Sequence, residues 1–339
     1  MLVFVDFEHA SAHERKHGER ILAARTRLTY RLEDLAGMHC HLVRYDRIDQ
    51  HLLDTLGATA IFVSGNSVSP HDYDADSGVL RTALLVGRQA VDVRLRATAA
   101  GRLAVDCDSR TALTPRARTE LRRQLRHMLR LDDDLSAFHA ACADEPRLRW
   151  AARRGAGHLL RSTSTFEDLM KLLFTTNTTW AGTKAMTQKL VDALGTAAPS
   201  GRRAFPAATA CVRPATFYRD TVRAGYRAEA ATALARAFAN GELTDTTFLQ
   251  LQSSDELRTR LLVLRGFGPY AVGQAMRLFG HFEELALDSW CRARLAELDG
   301  RSRPPTDRAV ARRYARFAPY QGLALWLDLT AAWHGEGPR

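Results

Sequence analysis

Hydrophobic spacing changes character twice along this chain of 339 residues. Across residues 1–78, apolar runs at 2–7, 41–45 and 58–64 read as strands, and helical spacing at 19–35 and 49–56 reads as helices. Strands alternating with helices predict a parallel βαβαβ segment, a flavodoxin-like half-domain. Within residues 79–145 the period shifts to two. Alternating stretches at 90–96 and 102–106, joined by Ala99-Ala100-Gly101, predict a β-hairpin, and an arginine-rich helix follows over 115–131. From 146 to 339 the spacing is helical throughout. Ser164-Thr165-Phe166-Glu167 has the form of a capping box ahead of a helix at 166–174. Further helices are expected at 229–238 and 289–297, with a long amphipathic helix over 311–333 closing the fold. The expected fold is mainly α, preceded by a small antiparallel β lobe and an N-terminal α/β segment.

One stretch carries chemistry. Residues 261–294 read as helix, glycine turn, helix, short extended connection and a third helix. Gly266 is expected to end the first helix at positive φ. Gly268 would let the backbone approach a ligand, and Pro269 suits the first position of the second helix. The bare N–H groups of such a helix start make an anion site that fits a phosphate. Asp288 stands where it would cap the helix starting at Ser289, the ordinary fate of an Asp before a helix.

Charge narrows the partner. The formal net charge is +10 and the isoelectric point about 9.8, which favours a polyanion. Only Lys16, Lys171, Lys184 and Lys189 are lysines, so 44 of the 48 basic side chains are arginine. The five cysteines, Cys40, Cys107, Cys142, Cys211 and Cys291, form no C-x2-C pair and support neither zinc nor an iron–sulfur cluster. Asp6, Glu8, His9 and His13 follow the first strand, where such folds place ligand groups, but they fit a solvated loop as well. Asp132, Asp133 and Asp134 read as a solvated helix boundary. No apolar run reaches the roughly eighteen residues of a membrane span. The start MLVFVDFEHAS lacks a basic leader and a cleavage site, so it reads as a strand and the expected location is cytoplasmic, with the nucleoid.

Leu264-Arg265-Gly266-Phe267-Gly268-Pro269-Tyr270, with Leu285-Ala286-Leu287-Asp288-Ser289-Trp290 placing the aspartate 18 residues after Tyr270, resembles the helix-hairpin-helix (HhH-GPD) DNA glycosylase superfamily. These are the base-excision repair enzymes related to endonuclease III and to the alkyl-purine and 8-oxoguanine glycosylases. The resemblance covers about residues 80–335 and implies a two-lobed helical core within 146–339. It also implies double-stranded DNA with a modified base as partner, a monomer, and no metal or redox cofactor. Asp288 would be the catalytic carboxylate. Arg265, Gly266, Phe267, Gly268, Pro269 and Ala271 would hold DNA at the hairpin, and Asn177 matches the polar residue that enters the duplex. Tyr270, Gln274, Trp180, Tyr320 and Trp326 are the base-pocket candidates. Bifunctional members carry a lysine where this chain has Tyr270. A phenol cannot form a Schiff base, and no lysine follows Lys189, so a monofunctional glycosylase is expected. A glycosylase with lyase activity and a non-catalytic DNA-binding module stay open as alternatives. So does the lesion: Tyr270 leans towards alkylated purines, while Asn177 and Pro319-Tyr320-Gln321-Gly322 lean towards 8-oxoguanine. The four-cysteine cluster of many endonuclease III relatives is absent. Residues 1–78 resemble the first half of a class I glutamine amidotransferase, without the second half that carries its cysteine nucleophile, and their role is left unassigned.

Overall fold

The computed structural model describes residues 2–6, 40–44, 60–63, 70–74, 78–97 and 103–334. The chain forms two compact units, Met1–Thr82 with Arg94–Asp106, and Ala83–Val93 with Cys107–Arg339. At the N-terminus, β1 (Leu2–Asp6), β2 (Cys40–Arg44) and β3 (Ala60–Val63) make a parallel sheet of order β2-β1-β3, with Phe4 opposite Leu42 and Phe62. A parallel sheet there is what the spacing predicts. The two expected helices, 19–35 and 49–56, and Glu8, His9 and His13 lie outside the described residues.

A second sheet has the order β4 (Asp72–Asp74), β5 (Val79–Val86), β6 (Gln89–Ala97) and β7 (Leu103–Ser109), β4 running antiparallel to β5. In β6 the buried Val91, Val93 and Leu95 alternate with Asp92, Arg94 and Arg96, the period of a half-covered strand.

Helices fill the rest of the second unit. α1 (Pro115–Leu129) starts at a Thr114 cap whose hydroxyl accepts from the Ala117 N–H, with Pro115 in the first turn. It ends at Leu129, two residues before the expected 131, with Arg130 as its cap in the left-handed region. Then come α2 (Ser136–Ala143), α3 (Arg149–Arg154), α4 (Thr165–Thr175), α5 (Trp180–Leu194), α6 (Ala215–Asp220) and α7 (Ala228–Ala239). Beyond them lie α8 (Asp245–Leu249), α9 (Ser254–Leu262), α10 (Pro269–Leu278), α11 (Ser289–Leu298), α12 (Asp307–Tyr314) and α13 (Gln321–Thr330). At the head of α4 the Ser164 hydroxyl accepts from the Glu167 N–H at 3.3 Å, one arm of the expected capping box. The Glu167 carboxylate accepts from the Thr163 hydroxyl at 3.0 Å and pairs with Lys171 at 2.6 Å.

The apolar faces of these helices gather into two clusters. The first holds Leu169, Leu173, Leu190, Tyr218, Leu261 and Met276; the second holds Phe138, Trp150, Leu295, Tyr314, Leu323 and Leu327. Each such side chain contributes roughly 1.5–3 kcal/mol on burial. Phe279 belongs to the first cluster and Phe282 to the second, so the α10–α11 connection crosses from one to the other. That crossing carries the chain to Asp288.

Two sequence expectations change. The closing helix is not continuous: α12 gives way to a 3-10 turn at Ala315–Phe317, and α13 starts only at Gln321 after a cis Ala318–Pro319 bond. Proline cannot supply a backbone N–H, which is why the helical ladder breaks there. The acidic run is not simply solvated either. Asp133 pairs with Arg130, whose side chain is wholly buried. The Arg130 guanidinium also donates to the Leu278 carbonyl at 2.9 Å, fastening the end of α1 to the end of α10.

Candidate DNA-processing site

The hairpin differs from expectation in one respect. α9 stops at Leu262, so Gly266 is not its cap. Gly266 does take φ +86, for a packing reason. A Cβ there would stand 2.8 Å from Leu173 Cδ1 and 3.1 Å from the Ala230 Cβ, so only glycine lets the turn settle on α4 and α7. Gly268 is the N-cap of α10 with φ −93, and a Cβ on it would meet nothing within 4 Å. Its lack of a side chain leaves the first-turn N–H groups of α10 without a capping partner from that position, and Pro269 opens the helix. The backbone there is free to face an anion. Phe267 and Ala271 turn their side chains into the core, so any contact they make with a ligand is through main chain. Arg265 is 65% exposed, its guanidinium 4.0 Å from Glu229.

Asp288 caps α11 as expected. Its Oδ1 accepts from the Cys291 N–H at 2.7 Å, and its carbonyl accepts from the Arg292 N–H at 3.2 Å. The side chain is half-buried. Its charge reaches Tyr270 at the head of α10. Burial first, then the Asp288 charge, push the Tyr270 phenol above its ordinary value, opposed by a hydrogen bond with Thr175. Tyr270 is therefore a neutral phenol at physiological pH, bonded to the end of α4 and within the electrostatic reach of the aspartate. Cys291, one turn beyond, is buried, and burial together with the same carboxylate pushes its thiol up to about 12.

Residues i, i+4 and i+7 of one helix share a face, and Tyr270, Gln274 and Arg277 do so on α10. Gln274 is half-buried; its amide donates to the Ala286 carbonyl at 3.4 Å and accepts from Arg277 at 3.3 Å. Arg277 is buried, donates to the Leu285 carbonyl at 2.9 Å and lies over the Trp326 ring at 5.4 Å. No carboxylate lies within ion-pairing distance of it among the described residues, and its Nε is buried without a partner. Burial draws its guanidinium down, against the charges of Cys291 and Asp288. Arg277 and Trp290 were not singled out by sequence reading. Trp290, two residues after Asp288, completes an aromatic group with Trp326 at 6.0 Å and Trp333 at 5.6 Å.

Two glycines let neighbouring elements clamp the connection to Asp288. A Cβ on Gly273 would come 2.8 Å from that of Ala286, itself held at φ +48. A Cβ on Gly322 would run into the Glu284 carbonyl oxygen, while the Gly322 N–H donates to the Phe282 carbonyl at 2.6 Å.

The remaining candidates scatter. Asn177 is exposed at φ +43 in the α4–α5 loop, two residues past the Thr175 contact with Tyr270, and donates to the Tyr226 hydroxyl at 3.2 Å. Arg227 grips the same loop through Thr176 and stacks on Tyr226 at 4.5 Å. Trp180 begins α5, 51% exposed. Tyr320 packs against Phe138 and Phe282 in the second cluster, against which Trp326 also packs. Among the described residues no cluster of His, Cys, Asp and Glu could hold a metal ion, and no helix is long and apolar enough to cross a membrane.

Solved structures share the fold that carries the hairpin, the crossing connection and the capping aspartate. The chain is similar to MBOgg1 in complex with a low-affinity DNA ligand, at 19% identity and a TM-score of 0.61, over 80% of this chain and 91% of that one. It is equally similar to the 3-methyladenine DNA-glycosylase from Archaeoglobus fulgidus, at 20% identity and 0.61, over 79% and 92%. A third is the Clostridium acetobutylicum 8-oxoguanine glycosylase/lyase in complex with dsDNA containing cytosine opposite 8-oxoG, at 15% and 0.58, over 78% and 88%. No protein-family model matches the sequence. No curated protein matches it either. At these identities the likeness is one of fold, shared with structures that include DNA glycosylases.

Proposed function

We propose that the protein is a monofunctional DNA glycosylase that flips a modified purine from the duplex and hydrolyses its N-glycosidic bond, with Asp288 as the catalytic carboxylate. The observation that carries this reading is the placement of Asp288: fixed by the Cys291 N–H, with its charge felt at Tyr270, the residue that follows the bare hairpin turn. As the base leaves with the bonding pair, positive charge grows on the deoxyribose. A fixed carboxylate beside that sugar stabilises the charge and orients the water that adds to C1′. The hairpin amides hold a backbone phosphate near the same nucleotide. Extrusion of a damaged base costs less than that of a paired one. Tyr270 and the Trp290–Trp326–Trp333 group are the faces on which it would stack, and Asn177 would enter the gap it leaves. The protein would act on double-stranded DNA as a monomer, without a cofactor.

The two solved glycosylases of known lesion specificity among these neighbours act on 3-methyladenine and 8-oxoguanine, and the second is a lyase as well. Tyr270 separates the mechanisms, because a lyase needs an amine to attack the sugar. A duplex with one modified purine, incubated with the protein, is expected to stay uncut until alkali is added. Strand scission without alkali would contradict the monofunctional reading.

A further inference from the structure

We propose a second anion site on the α1 side of the helical unit, built to take a chain of phosphoryl groups. A cavity of about 440 Å³ is lined by Arg122, Arg123, Arg126, Arg130 and Arg161, with Asp132 and Asp133 as its only carboxylates among the described residues. None of the residues grouped around Asp288 lines it. Arg130 reaches it from the end of α1 and donates to Leu278 at the end of α10 opposite Tyr270, about 12 Å along that helix at roughly 1.5 Å per residue, so this site is separate from the reaction site proposed above.

The positive charge is under-compensated. Arg126 is taken by Asp132, and Arg130 by Asp133. Arg123 turns back to Glu120 at 2.8 Å and has Asp245 at 3.8 Å. Arg161 is only 9% exposed, yet the nearest carboxylate is Asp133 at 3.9 Å, already held by Arg130, and its Nε is buried without an acceptor. A buried guanidinium N–H left without a partner is costly, which argues for an acceptor that arrives from outside. Arg122 is exposed and makes no hydrogen bond or ion pair among the described residues. His127 adds a neutral ring: burial first, then the Arg161 charge, hold it down at about 4, and its Nε2 is also buried without a partner. Among the described residues no other ring and no large aliphatic side chain lines the cavity, so charge dominates its lining. Guanidinium forks suit phosphate oxygens, and the space exceeds that of one phosphate. The phosphoryl groups could come from free polyphosphate or from a stretch of DNA backbone.

Tripolyphosphate titrated into the full chain by calorimetry, together with the salt dependence of duplex binding, tests the site. The variants are Arg161→Gln, the exposed Arg122→Glu, and Arg308→Glu as a charge-matched control on α12, with thermal unfolding reporting that each is folded. Loss of one charge-assisted hydrogen bond weakens binding about tenfold or more. Tripolyphosphate binding that falls by that factor in Arg122→Glu and Arg161→Gln but not in Arg308→Glu supports the site with a free anion as its ligand. Absence of tripolyphosphate binding, with a log–log salt slope for DNA shallower by about 0.9 or more in Arg122→Glu and Arg161→Gln but not in Arg308→Glu, supports the site with backbone phosphate as its ligand. If neither quantity changes, or the Arg308 control loses as much, the proposal is overturned. Base release is read separately, so failure of the glycosylase reading leaves this result interpretable.

Discussion

Asp288→Asn is expected to abolish base release while leaving the fold and DNA binding intact. Asparagine caps helices as well as aspartate does, so the bond from the Cys291 N–H at 2.7 Å survives the change and α11 keeps its start. What disappears is the negative charge beside the sugar. Removing one preorganised stabilising group, or one general base, lowers rates by about 10²–10⁴. The loss should appear in single-turnover base release with protein in excess, where binding does not limit the rate. Duplex affinity should stay within about twofold of wild type, as the hairpin amides and Arg265 are untouched. A variant that releases base at the wild-type rate would leave Asp288 as a cap and nothing more.

Gly322→Val should be the most disruptive single change outside the reaction site. Its Cβ would enter the space of the Glu284 carbonyl oxygen and approach that of Phe282 at 3.0 Å, and both are backbone atoms that cannot rotate away. Either α13 lifts from the connection or the connection moves, and Asp288 lies four residues beyond Glu284. Overpacking of this kind destabilises by about 3 kcal/mol or more, measured as a drop in the urea midpoint at unchanged m-value. Base release should fall too, even under conditions where the variant remains folded. Gly268→Ala is the contrast: with φ −93 and open space around the added methyl, it should unfold like wild type. A Gly322→Val protein of wild-type stability would show that the connection is not clamped as described.

Local signals carried much of this site into view. Asp288 is legible because a carboxylate ahead of a helical run can satisfy the bare N–H groups of its first turn, and the structure has it doing so. The Gly-Phe-Gly-Pro turn is legible because glycine and proline restrict the backbone in ways no other residues do. The reason for Gly266 was not, since Leu173 and Ala230 are remote in sequence and only the packed structure brings them against it. Arg277 was hidden for a different reason. With 44 arginines in the chain, one more on a helix says nothing until it is found buried. The signal that could have found it is its place at i+7 from Tyr270 and i+3 from Gln274, on the face already suspected. The packing of Tyr320 against Phe138 and Phe282 is a tertiary fact with no local trace. In the N-terminal segment, the strand pattern predicts a parallel sheet but not its order, and spacing alone says nothing of what such a sheet is for.

The most direct test of the central claim is chemical. Wild-type full-length protein is incubated with a panel of duplexes, each carrying one defined modified base, and the free base is identified by mass spectrometry. The account predicts release of at least one modified purine from DNA whose strand is still whole. Tight binding to these duplexes with no free base from any of them would contradict it.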